Sequence, residues 1–236
     1  MNSSDVILIT GASRGLGRAL ARELAGRGQR LVINARHALE LDALQRELAA
    51  HTRVVAVAGD VSEAAEGIAE RALSAFGRID VLINNASDIG PSPMPPLELY
   101  PWESLLRVFK VNAVAPFHLI ALLAPSMRER GRGTIVNITS DAAVNAYAGW
   151  GGYGGSKAAL EHMSRVLARE LEGSGVRVLV VDPGDMNTEM HALAEPGIDL
   201  SHLADPEAVA PRIIELIDRD GAAFARVEAQ KSEALR

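Results

Sequence analysis

The sequence predicts an α/β fold, a doubly wound, mainly parallel sheet of six to seven strands with helices on both faces. Three observations carry that expectation. Short runs of Val, Ile and Leu alternate with longer segments whose apolar residues recur at helical spacing, the order that builds βαβ units. Hydrophobic residues make up 48% of the chain and aromatics only 4%, so aliphatic side chains carry the core, as a buried parallel sheet requires. The length of 236 residues suits a single domain over 1–236, with no internal repeat or low-complexity tract.

Each element follows from its local pattern. Val6-Ile7-Leu8-Ile9 reads as a buried strand entering a turn at Thr10-Gly11. Leu16, Ala19, Leu20 and Leu24 mark a helix face that ends at Gly26 and Gly28. Leu31-Val32-Ile33 is the second strand, and Leu41, Leu44 and Leu48 lie on the helix after it. Val54-Val55-Ala56-Val57 is the third strand, and 62–76 is an Ala-rich helix with Ser62 as its N-cap. Val81-Leu82-Ile83 is the fourth, leading into a Pro-rich loop over 87–101. Residues 102–130 read as helical, with Pro116 and Pro125 expected to forbid one uninterrupted rod. The fifth strand is 134–138, then a loop of small residues over 142–152 and a helix marked by Leu160, Met163, Leu167 and Leu171. The sixth strand is 176–181. A substrate loop is expected at about 185–205, a helix from 206 to about 218, and an edge strand at 224–227.

Composition removes several function classes. Lys plus Arg is 24 and Asp plus Glu is 30, a net charge of −6, and no basic run exceeds two residues, which argues against nucleic acid and anionic membranes. The absence of cysteine removes thiol catalysis, Fe–S clusters and Cys-ligated zinc. Six histidines at 37, 51, 118, 162, 191 and 202 include no H-x-x-x-H pair, which disfavours a metal. No apolar stretch is expected to approach the roughly 20 residues that cross a bilayer, and Met1-Asn2-Ser3-Ser4-Asp5 lacks the plan of a secretion signal. A cytoplasmic protein is expected.

Ligands of such sheets bind beyond the carboxyl ends of the strands. After the first strand, Thr10-Gly11-Ala12-Ser13-Arg14-Gly15-Leu16-Gly17 places three glycines before a helix N-terminus, where unpaired N–H groups favour a phosphate. A plain strand-to-helix turn uses glycine for the same steric reasons, so this loop alone leaves both readings open. After the second strand, Asn34-Ala35-Arg36 has no acid for an adenosine ribose. Arg36, with Arg14, would instead flank a 2′-phosphate, favouring NADP over NAD, or both arginines are simply solvated. Tyr153-Gly154-Gly155-Ser156-Lys157 puts a phenol and an ammonium one helical turn apart. An adjacent cation favours the phenolate and brings tyrosine toward the working pH range. Ser140, at the mouth of the fifth strand, lies within reach through a small-residue loop.

The series of motifs resembles the short-chain dehydrogenase/reductase family, in its single-domain branch of about 250 residues, and does so over most of the chain. Thr10–Gly17 is similar to its T-G-x-x-x-G-x-G loop, Asp60-Val61 to its adenine contact, and Asn84-Asn85-Ala86 to its N-N-A element. Asn112, Ser140, Tyr153 and Lys157 match its catalytic tetrad, and Pro183-Gly184 with Thr188 match its P-G-x-x-x-T element. The resemblance implies a Rossmann-type fold and NADP-dependent hydride transfer between the nicotinamide and a small-molecule carbonyl or alcohol. It implies cofactor contacts at Gly11, Ser13, Arg14, Gly15, Leu16, Gly17, Arg36, Asp60, Val61, Asn84, Ala86, Tyr153, Lys157, Pro183, Gly184 and Thr188. It further implies Tyr153 as acid/base, Lys157 lowering its pKa and binding ribose, and Ser140 on the substrate oxygen. Asn112 would anchor a water leading from Lys157 to solvent, through a helix distortion near Pro116. A homodimer or homotetramer through the helices of Asn112 and Tyr153 is also implied.

Three departures stand out. Ser87 replaces the last glycine of N-N-A-G, Asp185 follows Gly184, and the charged C-terminus lacks a Gly-rich tail. Trp150, Met186 and Met190 either line an apolar pocket or cover the sheet edge. His191 contacts substrate or is solvated, and Asp182 serves the strand-end turn rather than a carboxylate pair. A non-catalytic NADP(H)-binding sensor is the rival class. An epimerase or dehydratase of the extended branch needs a substrate domain for which about 50 residues remain.

Overall fold

The computed structural model describes residues 1, 4–219 and 221–231; residues 2–3 of the N-terminal segment and 232–236 of the charged C-terminus lie outside the described residues. The strands are β1 (Val6–Ile9), β2 (Arg30–Ala35), β3 (Val54–Ala58), β4 (Val81–Asn84), β5 (Gly133–Ile138), β6 (Val176–Asp182) and β7 (Phe224–Glu228). The helices are α1 (Gly15–Gly26), α2 (Ala38–Leu48), α3 (Ala65–Phe76), α4 (Trp102–Phe109), α5 (Ala115–Glu129), α6 (Gly151–Glu170), α7 (Glu189–Ala194) and α8 (Pro206–Asp218).

All strand pairs are parallel, in the order β3-β2-β1-β4-β5-β6-β7, with Ile7 opposite Leu31 on one side and Val81 on the other. The edge strand expected near 224 is present, with Phe224 opposite Val178. Alternation along β1 feeds two cores. Ile7 and Ile9 pack with Leu20 and Leu24 of α1, Leu41 of α2 and Ile213 of α8. Val6 and Leu8 pack on the other face with Ile68 of α3, Leu119 and Leu123 of α5, and Ala168 of α6. After β3 the chain returns to the sheet centre to place β4 beside β1. The carboxyl ends of those two strands therefore diverge into a crevice.

Three local expectations are corrected. Helix α3 begins at Ala65, not Ser62, because Ser62 donates its N–H and Oγ–H to the Asp60 carboxylate at 2.9 and 2.7 Å and belongs to the turn. The stretch 102–130 is interrupted once, by a π-helical turn over Lys110–Val114. Pro125 sits inside α5 with Ala121 and Pro125 both exposed, so water reaches the carbonyl that the proline leaves unbonded. Counted through that turn, Trp102–Glu129 spans 28 residues and is long and apolar enough to cross a membrane, contrary to expectation. Its apolar window is 56% buried, with Leu119, Leu123 and Met127 facing the sheet, as in a core helix.

Candidate functional site

The crevice begins at a clamp between two strand ends. Thr10 Oγ1 accepts from the backbone N–H groups of Asn85 and Ala86, each at 3.0 Å. Asn85 Nδ2 donates back to the carbonyls of Thr10 and Gly11, at 2.9 and 3.2 Å. The loop then turns left-handed at Gly11 (φ +66°) and Gly15 (φ +52°). A Cβ on Gly17 would lie 2.2 Å from the Gly11 carbonyl oxygen, so Gly17 seats α1 against the loop. A Cβ on Gly15 would meet only Thr188 Cγ2 at 3.8 Å, which leaves that backbone open to the cleft. The first turn of α1 has no side-chain cap and no acid. Its free N–H groups and open backbone fit the diphosphate of a dinucleotide.

The cleft runs on for about 340 Å³ from Arg36 and Asp60 at one end to Tyr153 and Lys157 at the other. Burial alone would raise the Asp60 carboxyl, but its hydrogen bonds from Ser62 and the charge of Arg36 hold it below the usual range. Arg36 is exposed on the rim. Arg14 reaches across the cleft, with its Nη1 at 2.5 Å from Glu189 Oε2 of α7.

At the inner end, the first turns of α6 carry Tyr153 and Lys157 on one face, both buried. Burial pushes the phenol up to about 12, against hydrogen bonds from the Ser87 and Ser140 hydroxyls that lower it. Burial also brings Lys157 down to about 8. Its Nζ donates to the Ile138 carbonyl at 2.9 Å and lies 5.6 Å from the centre of the Tyr153 ring. Burial is thus the largest effect on the phenol in this arrangement, and the two serines, rather than the ammonium, lead the effects that oppose it.

Ser140 gives its proton to Asp141 Oδ1 at 3.1 Å and accepts from the Ala142 N–H at 3.2 Å. Burial alone would raise Asp141, but hydrogen bonds from Tyr147, Ser140, Asn145 and the Ala142 backbone keep it low and ionised. Asn112, fully buried in the π turn, spends its side chain on the protein. Its Nδ2 donates to the Asp88 carbonyl at 2.7 Å and Ser156 Oγ at 2.9 Å, while Oδ1 accepts from the Asp88 N–H at 2.7 Å and Ser87 Oγ at 3.2 Å. No side-chain position is left for a water. Pro116 lacks the N–H that a regular α-helix would direct at the Asn112 carbonyl, so the backbone oxygen is the group to consider instead.

The structure brings most of the sequence-derived residues to the cleft: Gly11, Ser13, Arg14, Gly15, Leu16, Arg36, Asp60, Val61 and Ala86 along one stretch, and Ser140, Tyr153, Lys157, Pro183, Gly184 and Thr188 toward the inner end. Three lie elsewhere. Gly17 faces the loop's own backbone. Asn84 is buried and donates to Asn137 Oδ1 at 2.8 Å beneath the strand ends, and its neighbour Asn85 borders the cleft in its place. Asn112 stands behind the cleft wall, bonded to Ser87. Asp182 accepts from the Gly184 N–H at 2.9 Å, which is the strand-end turn expected of it. Trp150 stacks edge-on to Tyr153 with ring centres 6.0 Å apart, and Met190 packs in the same cluster. Met186 lies against the sheet core and also borders the cleft. His191 is paired with Glu195 at 3.2 Å. Sequence reasoning missed Asp141 and Ser156, whose only signal was adjacency to Ser140 and Lys157.

Comparison with known proteins agrees with this geometry. The profile of the short chain dehydrogenases matches residues 5–198. The 3-oxoacyl-[acyl-carrier-protein] reductase of Synechocystis is 33% identical over 231 residues, covering 94% of this chain and 92% of that protein. Glycine betaine reductase ATRR of Emericella nidulans is 33% identical over 223 residues, 90% of this chain, which spans only 17% of that longer protein. Among solved structures, a metagenomic short-chain oxidoreductase in complex with NADP is 34% identical, with a TM-score of 0.78 over 95% of this chain and 96% of that one. A 7α-hydroxysteroid dehydrogenase complexed with NADH and 7-oxo glycochenodeoxycholic acid is 27% identical, with a TM-score of 0.85 over 95% and 92%.

Proposed function

The chain belongs to the short-chain dehydrogenase/reductase family of oxidoreductases, and from that premise we propose that it is an NADP-dependent enzyme reducing a small-molecule carbonyl, or oxidising the alcohol, with Tyr153 as the acid/base. The observation that carries this reading is the convergence of a buried phenol, a buried amine and two hydroxyls at the closed end of a cleft that opens on the glycine loop. A nicotinamide bound there supplies the hydride.

The chain's own groups do the rest. Gly15 and the uncapped first turn of α1 cradle the diphosphate. Arg36 on the rim, with no acid in its place to bind a bare ribose, takes the 2′-phosphate and sets the preference for NADP. Arg14 joins it by leaving Glu189. Asp60, Val61 and Ala86 border the adenosine side of the cleft, and Pro183, Gly184 and Thr188 the nicotinamide side. Lys157, titrating near 8, holds the ribose hydroxyls and exchanges protons close to neutral pH. Tyr153 delivers its phenolic proton to the substrate oxygen. Ser140 turns from Asp141 to the same oxygen and stabilises charge developing there. The Asn112 backbone carbonyl, to which Pro116 has no N–H to offer, holds the water that refills Lys157. Exposed Val114, Leu122, Met163 and Val166 on α5, its π turn and α6 favour a homodimer or homotetramer through these helices, which light scattering tests.

The test of the chemistry is NADPH oxidation against a panel of aldehydes, ketones and acyl-chain carbonyls, with wild type and Tyr153→Phe. The phenol's loss should lower turnover by about 10²–10⁴-fold, the usual worth of a positioned acid, with cofactor affinity unchanged. Tyr153→Phe at the wild-type rate defeats the mechanism. Binding of NADPH without turnover of any panel member leaves the sensor.

A further inference from the structure

We propose that Arg226 of β7 is a positioning residue for the cleft: its guanidinium stands between two buried carboxylates, Glu161 and Asp182, and through them fixes the turn that carries Ser140 and the loop at Gly184. The inference rests on the reading of the cleft as a nicotinamide site.

Glu161 lies one turn beyond Lys157 on α6, with its side chain 3% exposed. A carboxylate so deep is costly to bury unless its oxygens are paired and hydrogen-bonded. Arg226 Nε donates to both oxygens, at 3.0 and 3.1 Å, and Arg165 Nη2 donates to Oε2 at 3.1 Å. A third donor is Thr139, whose Oγ1 gives its proton to Glu161 Oε1 at 3.0 Å. Thr139 stands between Ile138, whose carbonyl holds Lys157 Nζ, and Ser140. A charge-assisted bond on this hydroxyl therefore fixes the backbone that aims both neighbours.

Asp182, at the end of β6, has its side chain 5% exposed. Its Oδ1 accepts from the Gly184 N–H at 2.9 Å, and its Oδ2 lies 3.6 Å from Arg226 Nη2, an ion pair beyond hydrogen-bond reach. Burial lifts the Asp182 carboxyl above its usual range, with the Gly184 N–H and the charge of Arg226 opposing that rise. An ionised Asp182 holds the Gly184 amide more firmly than a neutral acid does. Two further bonds brace the same loop from the end of β7. The Ala229 N–H donates to the Asp182 carbonyl at 2.8 Å, and Gln230 Nε2 donates to the Asp185 carbonyl at 2.7 Å. Register explains how one guanidinium serves both carboxylates: β7 sets Arg226 opposite Val180 and Glu228 opposite Asp182, so Arg226 shares a sheet face with Asp182. Among the described residues, only Arg226 forms ion pairs with both Glu161 and Asp182.

The test reads the loop, the cofactor and the reaction separately. Arg226→Met should speed exchange of the Gly184 N–H, followed by NMR of glycine-labelled protein, with Gly26 at the end of α1 as the unaffected control. It should also weaken NADPH by about tenfold in fluorescence titrations. Arg226→Met combined with Glu161→Gln removes one buried charge together with its partner, which protects folding where the single variant fails. The double variant should keep both changes, because Asp182 still lacks its cation. Thr139→Val, which removes the hydroxyl alone, should lower kcat by about tenfold or more with NADPH affinity unchanged, and Thr139→Ser should restore it. Wild-type Gly184 exchange in the double variant overturns the proposal, and so does Thr139→Val at the wild-type kcat. Gly184 exchange is measured without cofactor or substrate, so a chain that turns over no carbonyl fails the enzymatic reading and still tests this one.

Discussion

Replacing Lys157 with Met tests the electrostatics of the buried end of the cleft. The amine is 2% exposed, has an uncharged carbonyl as its hydrogen-bond partner, and is moved by burial from 10.5 to about 8. At about 1.4 kcal/mol per pH unit, that displacement is worth roughly 3 kcal/mol. The sign follows from proton counting. Between about 8 and 10.5 the unfolded chain holds the lysine proton and the folded chain does not, so stability rises with pH across that window. Below about 8 the folded protein carries the whole penalty of a buried charge. Met keeps the aliphatic stem but leaves the Ile138 carbonyl without its donor, at a pH-independent cost of about 1–3 kcal/mol. Lys157→Met should therefore be near neutral or stabilising at pH 7 while abolishing turnover. Urea unfolding of the cofactor-free proteins at pH 7 and pH 10 gives the decisive number, because the constant terms cancel. Wild type should gain roughly 2 to 3 kcal/mol on the variant between the two pH values. A difference that stays flat with pH would refute the claim that burial, rather than a partner, sets this amine.

Two further outcomes follow from the loop and the rim. Arg36→Ala should weaken NADPH far more than NADH in fluorescence titrations, by about tenfold or more for the loss of one charge-assisted contact; equal losses would mean that Arg36 does not read the phosphate. Gly17→Ala drives a Cβ to within 2.2 Å of the Gly11 carbonyl oxygen and 2.6 Å of Asn85 Nδ2, so it should cost about 3 kcal/mol or more and lower Tm. An unchanged Tm would show that α1 sits less tightly on the loop than the geometry states.

Much of the fold was legible because its signals are local. Val6–Ile9 declares a buried strand by its composition, and Gly11, Gly15 and Gly17 declare the turn that follows by what other residues cannot do there. The positions of Tyr153 and Lys157 on one helix face are a consequence of 3.6-residue periodicity alone. Local signals failed where a competing hydrogen bond existed. Ser62 looks like a helix cap, yet the Asp60 carboxylate two residues earlier takes both of its donors. Pro125 looks like a helix breaker, yet its exposed side lets water serve the carbonyl it leaves unbonded.

The chain by itself determined the βαβ order, the glycine loop and the spacing of phenol and amine, because each depends on residues within one or two turns of each other. Only the tertiary structure decided that β4 lies beside β1, that Ser140 is held by Asp141, and that Asn112 holds Ser87. Those facts join segments up to 74 positions apart (Ile7 to Val81). Their energies arise from burial and from which donor meets which acceptor, and neither is written in the spacing of residues along the chain.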